Sequence, residues 1–199
     1  MTQYKLTYFN LRGRAETARY IFAFAGISYE DNRIEFADWP TLKPKIPFRK
    51  LPVLEVDGTF IHQSLAIARY IARETGLDGK SSLEKAQVDA LADTINDLAS
   101  LFPWKEQDKE KKKQIIDNIF ANVAPDVLKD LEEYLGDRQW FVGESVTWVD
   151  FYWEICITTL MSMSPSFAQS NPKLLALKSR VQALPAIAEW IQRRPQTAL

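Results

Sequence analysis

Apolar and polar positions follow two different periods along this chain, and the change of period divides it. Gln3 to Phe9 alternates and is rich in strand formers, so a strand is predicted there. Arg14 to Ala25 takes helical spacing, with Ala15, Ala18, Phe22 and Ala25 on one stripe and Gly26 as a stop. Tyr29 to Ile34 predicts a second strand, and a strand–helix–strand unit implies a parallel pair. Phe36 to Lys43 predicts a short helical loop bounded by Pro44 and Pro47. Val53–Val56 and Thr59–Ile61 flank Asp57-Gly58, the strongest short hairpin signal, and helical spacing returns from Ser64 to Glu74.

Beyond Gly76 the stretch LDGKSSLE is turn-rich, and everything after it is helical. Val88, Leu91, Ala92, Ile95, Leu98, Ala99 and Phe102 form one stripe; Ile115, Ile116, Ile119, Phe120 and Val123 form another, continued by Val127, Leu128, Leu131 and Leu135. Pro125 inside this second pattern must bend or interrupt it. Thr147 with Asp150 makes an acidic capping box, with Val146 and Phe151 as its staple, and Pro172 and Pro185 open the last two helices. The expected organisation is α/β followed by all-α. A thioredoxin-like domain covers 1–76, with a proline at the start of its third strand; a linker covers 77–82 and a helical domain 83–199.

Composition narrows the function classes. Lys+Arg 25 against Asp+Glu 26 leaves a net charge of −1 and no basic bias, which argues against non-specific nucleic-acid binding. The N-terminus has no apolar signal core and no run approaches a membrane span, so no integral membrane association is expected. The single Cys156 excludes an internal disulfide framework and CxxC chemistry, and a cytoplasmic protein is the expectation.

The stretch KLPVLEVDGTFIHQSLAI reads as an anion-binding corner made of backbone. Leu51 precedes Pro52 and is pushed to an extended conformation, and Leu51-Pro52 can be cis. Ser64 is the expected N-cap of the following helix, whose free N–H groups attract carboxylate or phosphate. Such a corner can grip a short peptide by its main chain and its carboxylate. The place after the first strand, where a thioredoxin-like domain carries cysteines, holds Tyr8-Phe9-Asn10-Leu11-Arg12-Gly13-Arg14 instead. A site without a thiol can still do sulfur chemistry if the ligand brings the sulfur. Free thiols titrate near about 8.5, and a Tyr hydroxyl donating to the sulfur favours the thiolate. Arg14 can add positive potential.

YFNLRGRAE, ADWP, KLPVLEVDG, HQSLAIARY, FPW, SVTWVDFYWEIC and the closing RRPQT together resemble the sigma-class glutathione transferases from end to end of the chain. The likeness is nearest to the branch that isomerises a prostaglandin endoperoxide. The resemblance implies a homodimer, glutathione bound in the first domain and a lipophilic substrate held against the second. It assigns Tyr8 to thiol activation and Arg14 to its assistance. Trp39 and Lys43 would reach the glycyl end, Leu51 would pair with the cysteinyl main chain beside a cis Pro52, and Gln63 and Ser64 would hold the γ-glutamyl end. Arg49 and Lys50 belong to the same set, and Asp97 would reach across the dimer to the other copy's glutathione. Phe9, Leu11, Gly13, Arg14, Trp104, Tyr152 and Cys156 would line the substrate pocket. The implied reaction turns prostaglandin H2 into prostaglandin D2: the thiolate attacks an endoperoxide oxygen, proton loss from the adjacent carbon forms the ketone, and glutathione is returned. Conjugation of simple electrophiles would accompany it.

Three positions depart from the family pattern. Arg49 stands where glycine is common, Leu11 replaces a more usual methionine, and Asn96 replaces an aspartate. Asp93, Asn96 and Asp97 would form a Mg²⁺ or Ca²⁺ site at the dimer interface, weakened by the missing charge. Blander readings stand beside these. Tyr8 alone is an amphipathic strand end, Trp39 is loop packing, and Trp104 is core or pocket wall. Asp89, Asp93 and Asp97 are a solvated face with mild self-repulsion. Cys156 is a small buried side chain, His62 is structural, and the lysine-rich run from Lys109 is a wet helix face. Two rival functions remain: a general detoxifying transferase, and a non-catalytic structural protein on the same fold.

Overall fold

A computed structural model of the chain describes residues 2–197; residues 1, 198 and 199, which the expected domains include, lie outside the described residues. The chain forms two units. One runs to Asp78 and regains the segment from Gln182 onward; the other is Gly79–Val181.

The first unit is built on a four-stranded sheet of order β2-β1-β3-β4. Its strands are β1 (Tyr4–Phe9), β2 (Glu30–Ile34), β3 (Val53–Val56) and β4 (Thr59–His62). β1 pairs parallel with β2 and antiparallel with β3, and the Asp57-Gly58 turn joins β3 to β4. A 3-10 turn, Gly13–Ala15, leads into α1 (Glu16–Ala25), and α2 is the short Trp39–Leu42. α3 is Ser64–Thr75.

The stripe expected on α1 is only part of its buried surface. Ala15, Ala18 and Phe22 are buried and Ala25 is exposed, but burial also takes in Glu16, Thr17, Arg19, Tyr20 and Ile21. The reason is that α1 packs on α3 and also on α9 (Pro185–Arg193). The segment from Gln182, expected within the helical domain, therefore belongs by its contacts to the first unit. The Trp190 indole Nε1–H and Arg194 Nη1 donate to Glu16 Oε1 at 2.8 and 2.9 Å.

The second unit is helical: α4 (Ser82–Leu101), α5 (Lys109–Asn122), α6 (Ala124–Leu135), α7 (Trp148–Met163) and α8 (Pro172–Gln182). Ser81 caps α4 by accepting from the Glu84 N–H, and Asp108 caps α5. Pro125 sits in the first turn of α6, where its missing N–H costs nothing, so the long apolar pattern becomes two helices. α4 packs on α7, and Val88, Leu91, Ala92, Ile95 and Leu98 are its buried side chains. Trp148, Phe151 and Trp153 are core, and the Trp153 indole donates to the Leu174 carbonyl at 3.2 Å. The capping box of α7 forms. Asp150 accepts from the N–H groups of Phe141 and Thr147 and from the Thr147 hydroxyl. Burial pushes the Asp150 carboxyl up to about 6, against the pull of those three donors.

Candidate active site

Strand register collects the candidates of the first unit at one end of the sheet. β1 runs towards Phe9, and the pairing of Thr7 with Val53 sets Pro52 level with Tyr8. Val53 opposite His62 then sets Gln63 beside Pro52, and Phe9 opposite Ile34 brings the segment leading to Trp39 to the same end.

Tyr8 is 8% exposed at that end, and its hydroxyl oxygen accepts the Arg14 backbone N–H at 3.3 Å. The turn that aims this amide needs Gly13, which lies at φ +43. A Cβ there would meet Leu11 Cδ1 at 2.4 Å and Tyr8 Oη at 2.8 Å. With an acceptor site of the hydroxyl taken by the amide, its own hydrogen finds no acceptor among the described residues. Burial raises the Tyr8 pKa above its ordinary value; the Arg14 amide and the charges of Arg14 and Arg19 pull the other way without overcoming it. At neutral pH the group is a phenol, a donor with a free hydrogen. Arg14 itself is exposed, and it acts on Tyr8 through its main-chain N–H and its positive charge.

Around Tyr8 the structure adds a ring cluster. Tyr8 meets Phe9 edge-on at 5.6 Å, Phe9 meets Trp39 edge-on at 5.5 Å, and Phe36 stacks on Phe9 at 4.4 Å. Phe36 was not among the sequence candidates; its place three residues before Trp39 was the available signal.

The corner around Pro52 differs from expectation in one respect. Ser64 is not the N-cap of α3 but its first residue. Gln63 holds the cap position at φ 71 and ψ 117, and among the described residues no side chain caps the helix. The hairpin leaves β4 at His62 and must reverse within one residue, which Gln63 does in a positive-φ conformation. The consequence strengthens the anion-binding reading, because the first N–H groups of α3 have no capping side chain to satisfy them. The Leu51–Pro52 bond is cis. No backbone hydrogen bond engages Leu51 among the described residues, so its N–H and C=O are available to an added extended segment. Lys43, Arg49 and Lys50 are exposed. Arg49 has φ 54, as does Phe48 before it, so arginine occupies the left-handed conformation that glycine favours. Phe48 is 72% exposed and stacks on His62 at 4.1 Å. These free main-chain donors and acceptors, beside a phenol with a free hydrogen, fit a short thiol peptide with a terminal carboxylate.

In the helical unit Tyr152 and Cys156 lie one turn apart on α7 and are half-buried. The Tyr152 hydroxyl donates to Asn96 Oδ1 at 3.3 Å, linking α7 to α4. Trp104 follows the end of α4, and its indole Nε1–H donates to the Ala99 carbonyl at 2.8 Å, satisfying an end group of the helix. Asp93 and Asp97 are exposed. Among the described residues no three His, Cys, Asp or Glu side chains gather as a metal site. A cavity of about 460 Å³ in this unit, lined by Phe120, Leu128, Glu132 and Phe167 among others, includes none of the candidate residues. No helix of the described residues is long and apolar enough to cross a membrane.

Residues 4–73 match the model of the glutathione S-transferase N-terminal domain, and residues 92–194 match that of the C-terminal domain. This chain belongs to the glutathione S-transferase family, and it is an enzyme of this kind. Among its relatives is the hematopoietic prostaglandin D synthase of Gallus gallus, 61% identical over 199 residues and 100% of both chains. The Homo sapiens protein of that name is 54% identical over the same full span. A solved structure of the rat protein in complex with a quinoline superposes with a TM-score of 0.96. It is 55% identical and covers 99% of this chain and 100% of its own.

Proposed function

We propose that this protein isomerises prostaglandin H2 to prostaglandin D2 with glutathione as its thiol, and conjugates glutathione to simple electrophiles. The observation that carries the chemistry is the Tyr8 phenol, kept protonated by burial and held by the Arg14 amide with its hydrogen free. Bound beside it, glutathione supplies the nucleophilic sulfur that the chain lacks. The Tyr8 hydroxyl donates to that sulfur and favours its ionised form, each pKa unit being worth about 1.36 kcal/mol. Leu51 pairs with the tripeptide main chain, and the uncapped start of α3 at Ser64, with Gln63, takes the γ-glutamyl carboxylate. Trp39, Lys43, Arg49 and Lys50 hold the remaining polar end. Trp104, Tyr152 and Cys156 face the lipophilic substrate.

The choice of prostaglandin H2 over general electrophiles is supported by full-length identity to proteins named for that synthesis. The working form is a homodimer in the cytoplasm, with Asp97 reaching the other copy's glutathione. A Mg²⁺ or Ca²⁺ ion shared between copies would meet Asp93, Asp97 and a neutral Asn96 whose amide oxygen already accepts from Tyr152. Such a site is weak. The test is product analysis on prostaglandin H2 with and without glutathione. Glutathione-dependent prostaglandin D2 is expected; a yield no greater than the spontaneous one, with conjugation intact, would leave a general transferase.

A further inference from the structure

We propose that Glu16 and Arg19 are positioning residues for the Tyr8 hydroxyl, and that the C-terminal segment carrying Trp190 and Arg194 is part of the same device. This rests on the role given to Tyr8 above. The bonds form a continuous series inside the first unit. Glu16 and Arg19 are both fully buried, one turn apart on α1. Glu16 Oε1 accepts from Trp190 Nε1 and Arg194 Nη1, and Glu16 Oε2 accepts from Arg19 Nη1 at 2.9 Å. The same Arg19 nitrogen donates to the Leu11 carbonyl at 2.8 Å and to the Arg12 carbonyl at 3.2 Å. The next two residues of that loop are Gly13, where any Cβ would run into Tyr8, and Arg14, whose N–H holds the Tyr8 hydroxyl. The series runs from Arg194 and Trp190 through Glu16 and Arg19 to the loop that holds the phenol.

Stability alone does not account for this arrangement. A buried ion pair contributes little more than apolar side chains of equal volume would. Anchoring α9 needs only the carboxylate with Trp190 and Arg194; it does not need a guanidinium aimed at two loop carbonyls. Arg19 also reaches Asp31 Oδ1 through Nε at 3.0 Å, so its plane is fixed from two sides. A guanidinium fork can serve carboxylates and carbonyls at once in a fixed geometry, which an ammonium cannot. The loop it holds sets the hydroxyl on which the thiol depends.

The experiment is Arg19→Lys in the full-length protein, with three readouts: glutathione Kd by calorimetry, the pKa of the bound thiol from its thiolate ultraviolet absorbance, and kcat with a simple electrophile. Lysine keeps the charge beside Glu16 but releases the loop carbonyls. The expected result is Kd within about threefold of wild type, a bound-thiol pKa raised by about half to one unit, and kcat at neutral pH lowered roughly three- to tenfold. Arg194→Ala, at the 12%-exposed end of the series, should shift both quantities the same way but less, and serves if the lysine variant does not fold. A lowered melting temperature with unchanged thiol pKa and kcat in either variant would overturn the proposal, leaving these residues a purely structural role. Tyr8→Phe measured alongside separates the two levels. If it leaves the thiol pKa unmoved, the reading of Tyr8 has failed; if it raises the pKa and Arg19→Lys does not, only the positioning role has.

Discussion

Replacing Gly13 with alanine tests whether the turn after β1 exists to place the phenol. The added Cβ would stand 2.8 Å from Tyr8 Oη and 2.9 Å from Tyr8 Cε1, against about 3.4 Å for ordinary contact. Leu11 Cδ1, at 2.4 Å, is the end of a flexible chain and can turn aside. The tyrosine ring, 8% exposed and packed on Phe9, moves only as a body. Its hydroxyl must then recede by about 0.6 Å, which carries the 3.3 Å contact to the neighbouring Arg14 amide past hydrogen-bonding range. A left-handed alanine at φ +43 adds about 1–2 kcal/mol of backbone cost. Displacement on the ångström scale costs on the order of 10²-fold in rate, so kcat for conjugation should fall roughly 10- to 100-fold. KM for glutathione should stay within a few-fold, because Leu51 and the α3 start belong to other segments of the chain. Steady-state kinetics beside urea melts checks both halves. A variant that loses the expected stability but keeps kcat within about twofold would show that Gly13 does not serve Tyr8.

The other predictions are more local. Tyr8→Phe should leave glutathione affinity nearly unchanged and cut turnover by about 10²–10³-fold, the cost of one preorganised donor; retained turnover would remove Tyr8 from its role. Asp150 carries a folded pKa raised to about 6, so its stabilising contribution is whole below its unfolded value and lost as pH rises through about 6. Urea melts should therefore show the advantage of wild type over Asp150→Asn shrinking between pH 4 and 7.5, by on the order of 2–3 kcal/mol; a gap that widens with pH contradicts this. Arg49→Gly should raise stability by about 0.5–1 kcal/mol by relieving a left-handed arginine, checked by thermal melts, and a loss would mean the side chain is held by more than its backbone suggests. Mg²⁺ or Ca²⁺ should change the activity of this chain less than that of Asn96→Asp, with equal saturable activation of both as the contrary result.

What the sequence disclosed was whatever is local. Asp57-Gly58, Pro125, and Thr147 with Asp150 each act within a few residues, and each made the element their chemistry dictates. The place of Tyr8 was legible for a related reason: a strand that ends where a thioredoxin-like domain carries thiols, with a tyrosine and no cysteine there. Ser64 misled because serine before a helical run is the ordinary cap, while the turn out of β4 spends Gln63 on the reversal and starts the helix one residue later. Glu16 and Arg19 were invisible. Two charged residues three apart on a helix normally mark a wet face, and nothing near them in sequence says that Trp190 and Arg194 bond to Glu16. Membership of the C-terminal segment in the first unit was hidden likewise, since periodicity shows that a face is apolar and not what it meets.

The central claim is that a borrowed tripeptide sulfur is ionised by the Tyr8 phenol. A crystal structure of the glutathione complex tests it most directly. The sulfur should lie within hydrogen-bonding reach of Tyr8 Oη, with the tripeptide main chain paired with Leu51 and its γ-glutamyl carboxylate at the start of α3. A sulfur turned away from Tyr8, or a tripeptide bound elsewhere on the chain, would contradict it.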